Sequence, residues 1–121
     1  MLKNIMELEE KYNIAIEDDG SYIYCYNNEF CDNGIKKFHC AVINPGMDRV
    51  QIEYNHTLSD YEYGFGVVTS VNGLKKFANG MIHRFCNHWS LYSPAEKREL
   101  IHFTVNVSTF IKEVLINEEK F

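Results

Sequence analysis

The chain has 121 residues, a net charge of −5 and 45% hydrophobic content, enough for one domain over 1–121 but not for two separate cores. With 14% aromatics it is too apolar for wholesale disorder, and no apolar run reaches bilayer length, so no membrane segment is expected. Residues 1–62 carry 12 acids against 5 bases and residues 63–121 carry 5 acids against 7 bases, a balance that argues against direct nucleic-acid binding, which needs lysine and arginine at phosphates.

Residues 2–11 place Leu2, Ile5, Met6 and Leu8 at helical spacing, and a short amphipathic helix is expected to close near Asn13. The same segment alternates charged and apolar residues, unlike the apolar centre of a secretory signal. The expected compartment is therefore a reducing cytosol, where cysteines serve as thiols or metal ligands rather than disulfides.

Residues 13–17 and 21–27 read as strands joined by Asp18-Asp19-Gly20, since Asp-Gly tolerates positive φ in a hairpin. Residues 35–43 read as one further strand, stopped by Asn44-Pro45-Gly46. Residues 49–54 and 61–69 alternate apolar and polar side chains and complete about five strands, connected locally and so mostly antiparallel.

Helical spacing then takes over. Residues 72–89 carry Leu74, Phe77, Met81, Phe85 and Trp89 on one stripe. Ser93-Pro94-Ala95-Glu96 is a helix start, with a capping serine, a first-turn proline and a glutamate that completes a capping box. Leu100, Phe103, Val107, Phe110, Ile111 and Val114 continue the apolar spacing to about Asn117. The expected class is α+β: a short N-terminal helix and an about five-stranded, mostly antiparallel sheet backed by two C-terminal helices.

Four cysteines and several histidines fall in two stretches: Cys25, Cys31, His39 and Cys40, then His83, Cys86 and His88. If the strands holding Cys25 and Cys40 pair, both thiols can lie on one face with Cys31 in the connection, while His83 and Cys86 are helical neighbours. Cys25, Cys31, Cys40 and Cys86, with His83 as a substitute ligand, are the candidate set for a structural zinc. No two cysteines have the two-residue spacing of a zinc knuckle. Buried free thiols beside Ile23, Phe38 and Val42 are the alternative.

Catalytic signatures are absent: no phosphate-cradling glycine loop, no His-Glu-x-x-His helix, no deaminase zinc motif and no nucleophile elbow. A Cys-His nucleophilic pair, for instance Cys86 with His56, is the catalytic arrangement the composition leaves open. A non-enzymatic protein is expected. Tyr22, Tyr24 and Tyr26 share one strand face and Tyr61 and Tyr63 another, next to acids rather than the bases of a nucleic-acid platform. That points to a protein-binding surface, with Asp18, Asp19, Asp60 and Glu62 as charged residues at turns and Tyr22 and Tyr63 as anchors. A solvated acidic face that only aids solubility is the alternative.

In its acidic run Glu17-Asp18-Asp19, its acids Asp60 and Glu62 and its Cys/His set, the chain resembles the small anti-CRISPR proteins of phages and mobile elements that act on type II-A Cas9. The resemblance is one of character across the whole chain, and no family motif carries it. It implies an acidic surface that blocks a basic nucleic-acid-handling protein, by filling its DNA channel or stopping a domain movement. An immunity protein against a toxin nuclease would share these electrostatics, and a small zinc-dependent enzyme is the third class.

Overall fold

Helix α1 (Ile5–Tyr12) is stopped by its own C-cap. Asn13 takes a left-handed conformation, φ 54°, and its N–H donates to the Glu9 carbonyl, an ending asparagine tolerates better than most residues. The Glu9 side chain then accepts from the Ile16 N–H at 2.8 Å, tying the helix to the first strand. In this computed structural model the described residues are 2–27, 31–32, 35–36, 39–44, 49–58, 61–70, 73–74 and 94–116.

Strands β1 (Ala15–Asp18) and β2 (Ile23–Tyr26) form the expected hairpin, with Asp18 opposite Ile23. Its loop is longer than Asp-Gly alone requires, running from Asp19 to Tyr22, with Gly20 at φ 90°. The single strand expected over residues 35–43 is instead two. Strand β4 (Ile35–Lys36) pairs only with β3 (Cys31–Asp32), while β5 (Cys40–Asn44) pairs with β2 and β6. The alternation of residues 35–43 suits a strand, but its two ends belong to different sheets.

Strands β6 (Arg49–Leu58) and β7 (Tyr61–Thr69) complete an antiparallel sheet of order β1-β2-β5-β6-β7. Its inner rows follow from register: Ile16, Cys25, Ala41 and Ile52 lie across one row, and Ile23, Ile43 and Val50 across the next, all buried. Helix α2 (Pro94–Phe110) starts at the proline, as its fixed φ favours. Ser93 lies outside the described residues.

The buried residues of α2, Leu100, Phe103, Val107 and Phe110, join those sheet rows in one core. The chain continues as a π-helical stretch, Ile111–Ile116, which keeps Ile111 buried and packs Val114 and Leu115 against the core. Tyr12 of α1 meets Phe110 edge to face, with ring centroids 5.6 Å apart. Of the helix expected over 72–89, residues 73–74 are helical and Leu74 is fully buried; the remainder lies outside the described residues. The architecture is α+β. Among the described residues no helix is long and apolar enough to cross a membrane.

Candidate functional site

The face of the sheet opposite the core is the candidate binding surface. One row across all five strands reads Glu17, Tyr24, Val42, Gln51, Val68; the next reads Ala15, Tyr26, Cys40, Glu53, Gly66. Tyr22 is 42% exposed and Val68 53% exposed, large for an aromatic and a branched aliphatic side chain. Tyr24 and Tyr26 are half-buried. Tyr22 stacks at a tilt on Tyr24, centroids 6.4 Å apart. It also lines, with Val42, Asn44, Arg49 and Gln51, a depression of about 280 Å³.

The hairpin tip beside this face is rigidly built. Asp18 accepts from the Leu2 N–H at 2.7 Å and the Gly20 N–H at 2.9 Å, and these donors hold its carboxyl below the usual carboxylate range. Asp19 accepts from the N–H groups of Tyr22 at 2.7 Å and Ser21 at 2.8 Å, which likewise lower its pKa. Its second oxygen receives the Tyr24 hydroxyl at 3.4 Å, so this carboxylate leans over the tyrosine row. Desolvation, then the Asp19 charge, raises the Tyr24 phenol pKa. Asp18 is thus mainly a turn-forming residue, and Asp19 both forms the turn and charges the face.

Of the other partner residues expected from sequence, Glu62 pairs with Thr57 and so falls in the register set of Gln51 and Glu53, seven residues along β6 from the Val50 level of Asp18, or about 23 Å away along the strand. Tyr63 pairs with His56 and falls in the register set of Val50 and Ile52, whereas Tyr24 and Tyr26 fall in the other set. Asp60 lies outside the described residues. Among the described residues, the acids beside the two tyrosine rows are Glu17, Asp19 and Glu53, against one base, Arg49. The sequence reading names Glu17 only as part of the run Glu17-Asp18-Asp19 and does not single out Glu53. Their alternation with Tyr24 and Tyr26 across paired strands was the signal, and it needed the register.

The register also corrects the thiol arrangement. Cys25 pairs with Ala41 and Cys40 with Tyr26, so Cys25 lies in the core and Cys40 on the outer face. The two expected zinc ligands point away from each other. Both are free thiols. Burial pushes the Cys25 thiol far up, and burial plus the nearby Glu53 carboxylate raises Cys40 to about 11. His39 is fully buried against the Phe103 ring, centroids 5.7 Å apart. Among the described residues no three His, Cys, Asp or Glu side chains are grouped to hold a metal ion. Cys31 lies in β3, and His83, Cys86 and His88 lie outside the described residues.

A second concave feature lies at the helical side, a cleft of about 460 Å³ between the end of α1, the end of β2 and one stripe of α2. The α2 stripe is Ala95, Arg98, Glu99, His102 and Asn106, flanking the buried one. Asn27 closes the far wall. Its backbone N–H donates to the His39 carbonyl at 3.2 Å and its amide to the Glu99 carboxylate at 2.5 Å. Sequence reading missed this cleft because its walls come from three separated segments with no motif.

No protein-family model, curated protein or solved structure matches this chain.

Proposed function

We propose that this protein is a non-enzymatic inhibitor that presents its outer sheet face to a basic nucleic-acid-handling protein, a Cas9-like effector in the bacterial cytosol, and blocks its DNA binding. The observation that carries this reading is the row Glu17–Tyr24–Val42–Gln51–Val68, flanked by Tyr22, Asp19 and Glu53. Tyrosines supply large contact area at low entropic cost, and three carboxylates against one guanidinium complement lysine and arginine. Because Asp19 is fixed by backbone donors, the charge at the tip costs little ordering on association. The resemblance to Cas9 inhibitors supplies the class of the partner.

The test is displacement of target DNA from guide-loaded Cas9 by the purified protein, in parallel with Tyr22→Ala and Tyr24→Ala variants. Inhibition by the parent protein that falls roughly tenfold or more in a variant, as for an interface anchor, is the expected result. DNA binding unaffected by a large excess of the parent protein contradicts the proposed target. Inhibition that both variants retain in full contradicts the proposed face.

A further inference from the structure

The cleft beside α2 has the opposite electrostatic character from the outer sheet face. Arg98 and Lys11 stand exposed at its walls, His102 adds an exposed imidazole, and among the described residues Glu99 is its single carboxylate. One Glu99 oxygen already receives the Asn27 amide, which holds that side chain against the wall. The lining therefore carries an excess of positive charge in a chain whose net charge is −5.

The cationic groups are placed by the fold. Lys11 sits with its ammonium 5.4 Å from the centre of the Tyr12 ring, and that ring is packed on Phe110. Arg98 and His102 are one turn apart on α2, with Asn106 one turn further. The floor is apolar, formed by buried Tyr12 and Phe103. A volume of about 460 Å³ falls within the usual range for small-molecule sites, and the lining around that floor is mostly polar.

We propose that this cleft binds a small organic anion, bearing a carboxylate or phosphate group, with Arg98 and Lys11 as its charge partners and His102 and Asn106 as polar contacts. The Arg98 guanidinium offers a forked pair of donors that matches either group. The site lies on a different surface from the proposed protein-binding face and stands or falls independently of it.

The experiment is a titration of the isotope-labelled full chain, followed by amide chemical shifts at constant ionic strength. Inorganic phosphate and citrate are the probes and glycerol is the uncharged control. Saturable shifts at Arg98, His102 and Asn106 with at least one anion, but not with glycerol, are expected. Saturation by phosphate alone identifies a phosphate-bearing ligand, and saturation by citrate alone a carboxylate. Arg98→Gln should weaken the apparent affinity about tenfold or more, in line with loss of a charge-assisted hydrogen bond. Lys112→Gln, which removes one exposed positive charge from the π-helical stretch, should leave it unchanged. Shifts that stay linear with both anions, that glycerol reproduces, or that Arg98→Gln leaves intact would overturn the proposal.

Discussion

Cys25 and Cys40 occupy neighbouring strands of one sheet yet lie on opposite faces, because Cys25 is registered with Ala41 and Cys40 with Tyr26. A single tetrahedral ion needs its sulfurs on the same side, so a zinc on this chain can take at most one of the two. Elemental analysis of Cys25→Ser and Cys40→Ser should accordingly show metal content falling in no more than one variant. Loss of metal from both would contradict the register.

The same pair should differ in stability. Cys25 is fully buried among apolar residues, and a serine hydroxyl there lacks an evident partner, so Cys25→Ser should cost about 1–3 kcal/mol. Cys40 is half-buried on the outer face, and Cys40→Ser should stay within about 0.5 kcal/mol. Chemical denaturation of both variants measures the difference. Alkylation of the native protein at pH 8, mapped by mass spectrometry, should leave Cys25 unmodified until the chain unfolds.

Acid should act through the hairpin tip. Backbone donors depress the folded-state pKa values of Asp18 and Asp19, so their stabilisation is present above the ordinary aspartate value of about 3.9 and is lost as pH falls through the depressed values. Thermal melting of the parent protein should decline below about pH 4. Asp18→Asn should be less stable at neutral pH and show a flatter acid limb. Parallel acid limbs for the two proteins would show that the Leu2 and Gly20 bonds contribute nothing to stability.

The sheet–helix core gives a further check. Leu100 and Val107 of α2 are fully buried in the cluster that includes Ile43 and Ile52. Leu100→Ala should cost about 2–5 kcal/mol, and the exposed Val105→Ala much less. Urea unfolding midpoints compare them directly, and equal midpoints would contradict the packing of α2 on the sheet.

What the sequence disclosed follows from the range of the interactions involved. The Asn13 helix stop, the Asp-Gly hairpin, the Pro94 helix start and the stripe from Leu100 to Ile111 depend on local backbone preferences and periodicity, which a single chain displays. The split of residues 35–43, the opposed faces of Cys25 and Cys40, and the distance between Asp18 and Glu62 depend on strand register, which those local signals do not carry. The acidic tyrosine surface was therefore legible as a composition, Tyr22, Tyr24 and Asp19 among its members. Glu53, and the place of Glu17 beside Tyr24, became visible only once β1, β2, β5 and β6 were aligned. The anion cleft is less local still, assembled from Lys11, Asn27 and a stripe of α2.

The most direct measurement of the binding claim is the association rate between this protein and guide-loaded Cas9 at two salt concentrations, for the parent chain and a Glu17→Lys/Glu53→Lys variant. Both positions lie on exposed strand surface, so the variant should fold as the parent does. Charges at an interface rim act mainly on encounter. The account predicts an association rate slowed about tenfold or more at low salt, a shallower salt dependence and a dissociation rate little changed. An association rate and salt dependence identical to those of the parent would contradict it, and would leave the acids of the outer face with no role beyond solubility.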